Sequence, residues 1–357
     1  MDERVAMVIF FVVFLLIYGS MHFYVLSKIA KFFKLEKNWW FYAILIFLAI
    51  SFFIASMLET RFDNGITKAF HFISATWMGV LFFLFFLILV YDIINLVKPL
   101  PLLGSGITIL TIALLLTIYS IVNAATINIK TVNIESSKID KPLSIVQISD
   151  VHLGPINGPD YLKLIVLKAN DQNPDIVLIT GDLLDGRYKY DPKDFQSLNT
   201  LKGNVYFTTG NHEFYAGVDL VTNLLNDTKV QILRNEATNF DKIQIIGIDD
   251  AEDRKQVAKQ LENMTLNTSQ YIILMYHRPP GFADAAAKGI DLMTVGHTHA
   301  GQIYPFNYIS ALYNGPVRGL HQLNNSYLYV SEGTGTWGPP MRFFSKNEIT
   351  EINLIKR

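Results

Sequence analysis

The chain changes character near residue 125. Before it, apolar residues run almost uninterrupted in four stretches, Val5–Ser27, Trp39–Leu58, Ala69–Val97 and Gly104–Ala125. Each reaches the roughly 20 residues needed to cross a hydrocarbon core. Beyond it the apolar runs shrink to strand length: Leu143–Ile148, Ile176–Thr180, Val205–Thr209, Ile243–Ile248, Tyr271–Tyr276, Leu292–Val295 and Tyr327–Val330. These runs are rich in Val, Ile and Tyr. Helical patterns lie between some of them, one opened by Pro159 and continued by Tyr161, Leu164, Ile165 and Leu167, another over Glu252–Asn263. Strands interleaved with helices predict an α/β layered domain. The expected organisation is a transmembrane region with four helices over 1–125, a polar β-leaning linker over 126–142 and a water-soluble domain over 143–357.

Composition refines this division. Half of the 357 residues are hydrophobic and 25 are Phe, most of this weight lying in the first part. A cleaved signal peptide is a poor fit for the first span, because three comparable ones follow it. Trp39, Trp40 and Tyr42 sit where an interfacial aromatic belt lies, with Tyr91 towards the end of the third span. Lys28, Lys31, Lys34, Lys37 and Lys98 fall in loops on one side, against Arg4, Arg61 and Lys68 on the other. The positive-inside rule therefore puts the Lys-rich loop in the cytoplasm and both termini outside, with the second domain extracytoplasmic. His22, His71 and Asp92 lie towards span ends and are read as snorkelling to the interface. The net charge of −1 and the absence of a Lys/Arg stripe argue against nucleic acid as a partner. With no cysteine, disulfides, thiolate metal sites and cysteine nucleophiles are excluded.

Five of the strand-like runs end in a polar cluster. These are Asp150-Val-His152, Gly181-Asp182, Gly210-Asn211-His212-Glu213, His277 and Gly296-His297-Thr-His299. Active sites of α/β folds are commonly built at such strand ends. Five of the eight histidines fall here. Oxygen and imidazole donors of this kind suit Mn, Fe, Zn or Mg. Residues i and i+2 of an extended chain point the same way, so Asp150 with His152, and His297 with His299, are each expected to aim at one point. Taken singly, Asp-x-His and Gly-Asp are common turn features, and a lone His277 is more often structural. Gly-Asn-His-Glu and Gly-His-Thr-His are much more specific, and all five in order make a purely structural reading improbable.

This order of motifs over about residues 143–357 resembles the calcineurin-like metallophosphoesterase superfamily. Gly296-His-Thr-His-Ala-Gly-Gln302 and Ser331-Glu-Gly-Thr-Gly-Thr-Trp337, followed by Arg342, look like its bacterial membrane-associated branch. That branch is similar to the YaeI and YkuE phosphodiesterases and to the chlamydial UDP-diacylglucosamine pyrophosphatase. The resemblance implies a four-layer αββα sandwich and two divalent metal ions. One would be bound by Asp150, His152 and His299, the other by Asn211, His277 and His297, with Asp182 bridging. It further implies that His212 is a catalytic, non-ligand histidine near the scissile phosphate, oriented by Glu213 where relatives often have Asp. Such a pair of ions clamps the phosphate and generates hydroxide from water for in-line attack. Asp185, Arg187 and Arg342 are weaker substrate-contact candidates, against a solvated loop for the first two and a surface salt bridge for Arg342.

The expectation is a membrane-anchored phosphoesterase, with a phosphodiester, and in particular a lipid or lipid-linked one, as substrate. Two rivals accompany it: a pyrophosphatase of a nucleotide-linked lipid, and a vestigial metal-binding sensor or scaffold. The complete ligand set weighs against the second.

Overall fold

The structure is a computed structural model that describes the backbone from Glu3 to Arg357 and the side chains from Val12 onward; Arg4, counted above in the loop charges, lies outside the described side chains. The chain divides into two units. One comprises Met1–Ile121 with the short segment Gly338–Met341, the other Val122–Trp337 with Arg342–Arg357.

The first unit holds α1 (Glu3–Phe32), α2 (Trp39–Glu59), α3 (Gly65–Val97) and most of α4 (Leu102–Ala124). Among the described residues these four helices are long and apolar enough to cross a membrane, so this is a membrane protein. Asn38 caps α2, and Asn64 caps α3 in a capping box with Thr67, so both helices begin at side chains that satisfy their free N–H groups. α1 runs four residues past Lys28, drawing part of the Lys-rich loop into helix. A Cβ at Gly106 would lie 2.7 Å from Phe32 Cβ, so only glycine lets α4 approach α1 this closely.

Two of the three polar groups, His22 and His71, are buried among the helices instead of reaching outward, while Asp92 is half-buried. His22 is fully buried and accepts from Trp77 Nε1 at 3.0 Å, and His71 is buried too. Asp92 accepts from Tyr24 Oη at 2.6 Å and from Lys28 Nζ at 2.5 Å. Polar groups in an apolar phase gain more from one another than from an exposed position they reach only partly.

The second unit contains β1 (Ile127–Ser136), β2 (Leu143–Ile148), α5 (Pro159–Asp171), β3 (Ile176–Thr180), β4 (Asn204–Thr208), α6 (Asn211–Ala216), α7 (Val218–Leu225), β5 (Gln231–Ile232), β6 (Glu236–Phe240) and β7 (Ile243–Gly247). It continues with α8 (Gln256–Glu262), β8 (Tyr271–Met275), α9 (Phe282–Ala287), β9 (Leu292–Val295), α10 (Phe306–Asn314), β10 (Gly319–Leu323), β11 (Ser326–Val330) and β12 (Asn347–Lys356). Two six-stranded sheets result, in the orders β1-β12-β2-β3-β4-β5 and β10-β11-β9-β8-β7-β6. In the first, β2, β3, β4 and β5 are parallel; in the second, β7, β8, β9 and β11 are.

Strand alternation sorts the side chains into three cores. Ile145, Ile176 and Leu178 meet Ile245, Ile273 and Leu292 between the sheets. Their neighbours Val146, Val177 and Ile179 face outward onto Leu162 and Ile165 of α5 and Val221 and Leu224 of α7. On the far side Ile246, Ile272 and Leu274 pack against Val257 and Leu261 of α8 and Ala285 of α9. The layers are helix, sheet, sheet, helix.

The expected linker over 126–142 requires correction. β1 pairs in parallel with β12 along ten residues, from Ile127 with Asn347 to Ser136 with Lys356. The sheet therefore begins three residues after α4 ends. As an edge strand it leaves Ile129, Lys130, Thr131, Asn133 and Glu135 exposed, which is why its sequence reads as polar.

Candidate metal centre

The polar clusters follow β2, β3, β4, β8 and β9, at the carboxyl ends of parallel strands from both sheets. Gln147, fully buried one position before the end of β2, donates from Nε2 to Thr180 Oγ1 and to Val295 O, both at 2.9 Å. One amide thus ties the ends of β2, β3 and β9 together. Backbone bonds extend the ladder past the strands: Asp150 N donates to Gly181 O, His152 N to Asp182 O and Leu153 N to Leu183 O.

Extended alternation does not aim the ligands. Asp150, His152, Asp182, His297 and His299 all have positive φ, between 48° and 69°. This left-handed region is costly for residues with a Cβ and persists where surroundings enforce it, commonly at functional sites. Glycine is needed where loops from different strands meet. A Cβ at Gly210 would lie 2.2 Å from Asp182 Oδ1, and one at Gly296 would lie 2.1 Å from Asp150 Oδ2.

The structure brings Asp150, His152, Asp182, His212, His277, His297 and His299 into one buried or nearly buried cluster, and buries Asn211, which precedes His212. Asp150, His152 and His299 form one group able to hold an ion, and Asp182, His277 and His297 a second. His152 Nε2 lies 3.1 Å from His299 Nε2, and His299 Nε2 lies 3.4 Å from Asp150 Oδ1. His297 Nδ1 lies 3.2 Å from His277 Nε2. Asp182 Oδ2 stands between the groups, 3.2 Å from His277 Nε2 and 3.7 Å from His152 Nε2.

The donor atoms are pre-set by a surrounding shell. Ser149 Oγ donates to Asp150 Oδ2 at 2.6 Å, and His297 N donates to Asp150 Oδ1 at 3.0 Å. His212 N donates to Asp182 Oδ1 at 2.9 Å. His277 Nδ1 lies 2.9 Å from Thr180 O, which directs Nε2 into the cluster. Asp185 Oδ1 lies 3.2 Å from His152 Nδ1 and does the same there. His152, Asp185 and His212 form a third convergent group, on the side of His152 away from His299. The donor set fits divalent cations: carboxylate and imidazole lone pairs converge, and the buried Asn211 Oδ1 and His212 Nδ1 have no hydrogen-bond partner.

Electrostatics follow from crowding. Burial would lower His277, but Asp182 overrides it and holds that imidazole up at about 10. Burial would likewise lower His152, and the carboxylates of Asp185 and Asp182 raise it. Burial pushes His297 and His299 well down, helped by positive His277 and His152 beside them. Asp182 goes far below the usual carboxylate range: burial opposes this, and His277 and His212 outweigh it. Burial raises Asp150. The raised imidazoles of His152 and His277 and the lowered carboxylate of Asp182 thus favour one another's charged forms.

Two expectations change, those for Arg342 and Glu213. Arg342 is neither a surface salt bridge nor a substrate contact, since it is fully buried. It donates through Nε to Asn347 Oδ1 at 2.7 Å, through Nη1 to His299 O at 2.9 Å, and through Nη2 to Gly335 O at 2.6 Å, with His299 Nδ1 3.2 Å away. It positions His299. Arg187 is exposed, its Nε donating to Tyr215 O, outside the convergent groups. Glu213 does not orient the His212 ring. Its carboxylate accepts from Gly210 N at 2.7 Å, Asp182 N at 2.8 Å and Leu184 N at 3.1 Å, joining the loops after β3 and β4.

Sequence reasoning passed over Arg278, which adjoins His277 and is held by Asp250 at 2.8 and 3.0 Å. A signal was present, because the run Ile243–Ile248 also ends in a polar pair, Asp249-Asp250. Trp337, exposed, has its ring 6.1 Å from that of His212.

Comparison with known proteins follows the same lines. The model of the calcineurin-like phosphoesterase family matches residues 143–301. An uncharacterized metallophosphoesterase of Campylobacter jejuni is 34% identical, over 97% of this chain and 98% of its own length. A transmembrane protein with metallophosphoesterase domain from Danio rerio is 36% identical over 69% of this chain and 61% of that protein. The uncharacterized metallophosphoesterase YkuE of Bacillus subtilis is 29% identical over 59% of this chain and 78% of its own. Among solved structures, a putative 5'-nucleotidase from Staphylococcus aureus aligns with a TM-score of 0.36 and 15% identity, over 54% of this chain and 49% of that one.

Proposed function

Since the chain belongs to the calcineurin-like metallophosphoesterases, which hydrolyse phosphoesters with divalent metals, we propose that it is a binuclear phosphodiesterase acting on a membrane-borne substrate. Asp150, His152 and His299 would hold one ion and Asn211, His277 and His297 the other, with Asp182 available to both. The observation that carries this reading is the pairing of imidazole nitrogens at 3.1 and 3.2 Å on either side of Asp182 Oδ2. Ions held there supply Lewis acidity to the phosphoryl oxygens and lower the pKa of water.

The chain's own groups do the rest. Asp182 is fixed through Oδ1 by His212 N, leaving Oδ2 for the ions. Asp150 is locked by Ser149 and by the His297 amide, so it offers a ligand without rotating. Burial lowers the His212 pKa, so the imidazole is ready to accept or relay a proton. It lies in neither ligand set, and it acts at the leaving oxygen. Arg278, restrained by Asp250, places positive charge beside His297 and favours an anionic substrate.

The four apolar helices support a multi-pass reading, and the Lys bias of the loops supports an extracytoplasmic position for the hydrolytic domain. Anchoring favours an amphiphilic substrate, a phospholipid headgroup or a lipid-linked phosphate. The test is hydrolysis of bis-p-nitrophenyl phosphate and p-nitrophenyl phosphate by purified protein, with Mn²⁺, after chelation, and with His212→Ala. Diester turnover that needs Mn²⁺ and fails in the variant supports the reading; turnover of the monoester alone would replace the diesterase assignment.

A further inference from the structure

Between Ala300 and Val317 the chain carries no Asp, Glu, Lys or Arg, although it lies on the surface of the water-facing unit. Within it, α10 exposes Phe306, Tyr308, Ile309, Leu312 and Tyr313, with Leu312 83% and Tyr313 68% exposed. A nine-residue helix showing five large apolar side chains to water is a poor solution for a soluble face. Beside it runs a groove of about 400 Å³ that starts at Ala300, next to His299, and passes between Tyr304, Tyr308, Phe343 and Phe344, with Arg318 at its rim. Phe344 is 70% exposed.

The position of this face along the chain says what covers it. Asn123, in the last turn of the fourth apolar helix, donates from Nδ2 to Arg342 O and Ser345 O, both at 2.9 Å. Asn347 Nδ2 donates to Ala124 O at 2.5 Å. The Phe343–Phe344 pair is therefore bracketed by hydrogen bonds to the residues on which a membrane span ends. Tyr and Phe without acidic groups are the side chains that headgroup regions favour.

We propose that α10 and the Tyr304–Phe344 groove form a docking surface immersed in the headgroup region of the bilayer, with membrane lipid as the occupant. The groove then leads from the lipid phase to the residue adjoining a metal ligand, so an amphiphile reaches the site without leaving the bilayer. The proposal rests on the reading of the helices as membrane spans, and does not require that the site be hydrolytic.

The cysteine-free chain allows single-site spin labelling of the full protein in phosphatidylethanolamine–phosphatidylglycerol vesicles. Labels go on Leu312→Cys and Tyr308→Cys, with Ile46→Cys in α2 as the lipid reference and Lys163→Cys in α5 as the aqueous one. Collision with oxygen and with a nickel chelate gives depth. The expected result is high oxygen and severalfold reduced nickel accessibility at 308 and 312 relative to 163. Nickel accessibility at 308 and 312 equal to that at 163, with 46 in lipid, overturns the docking surface alone. Dipolar broadening between labels of two molecules overturns it in favour of a second copy. An aqueous signature at 46 overturns the membrane reading and the proposal with it.

Discussion

Gly210→Ala adds one methyl group at a point where the structure has no room for it. The new Cβ falls 2.2 Å from Asp182 Oδ1 and 2.6 Å from Asp182 N. Ordinary contact begins near 3.4 Å, so the carboxylate or the loop must shift by about 1 Å. Asp182 N is also clamped by Glu213, and Oδ1 by the His212 amide, so rotation breaks one bond or the other. Metal–ligand distances tolerate about 0.2 Å. A displacement several times larger removes Asp182 as a shared ligand, so Mn²⁺ affinity falls by at least roughly 10- to 100-fold, or about 1.4–2.7 kcal/mol. Overpacking itself costs about 1–3 kcal/mol of stability. Isothermal titration with Mn²⁺ reads the affinity, and circular dichroism shows whether the domain stays folded. A folded Gly210→Ala protein with wild-type Mn²⁺ affinity would refute the assignment of Asp182 to the metals.

Other consequences follow from the surrounding shell. Arg342→Met strands the carbonyls of His299 and Gly335 in a dry interior; we expect a loss of about 1–3 kcal/mol for each unsatisfied group, read as a fall in Tm in detergent, and no rescue by Arg342→Lys, whose ammonium lacks the fork. Glu213→Ala frees three amides and loosens two ligand loops, so Mn²⁺-dependent turnover should drop about 10- to 100-fold, measured at saturating diester. In the metal-free protein His277 is held up at about 10 against an ordinary 6.5. A raised folded-state pKa contributes stability that is complete below 6.5 and is lost as pH rises towards 10; Tm in chelator should decline across that window. Because Mn²⁺ must displace the same proton, its affinity should weaken as pH falls, by up to about tenfold per unit, checked by titration between pH 6 and 8.

The apolar helices and the five polar clusters of the candidate metal centre were legible because each signal is local. Twenty apolar residues announce a span, and Gly-Asn-His-Glu is contiguous. What escaped depends on partners distant in sequence. β1 looked like a polar link because its register with β12, 220 residues on, is invisible from its own alternation. Arg342 read as a surface charge because, apart from Asn347 Oδ1, its acceptors are backbone carbonyls of His299, Gly333 and Gly335, which have no letter in the sequence. The left-handed backbone at Asp150 and His152 is likewise imposed by neighbouring loops rather than by residue type. Asp249-Asp250 carried a usable signal, a polar pair closing an apolar run, and it supports Arg278 instead of joining the ligands.

The most direct test of the central claim is equilibrium dialysis of purified, metal-stripped protein against Mn²⁺, with diester hydrolysis followed on the same samples. Two bound ions per chain, activity rising as the second is taken up, and loss of both in Asp182→Ala are the predicted results. Hydrolysis that persists in the stripped protein, or full Mn²⁺ binding by Asp182→Ala, would contradict a metal centre built on this cluster.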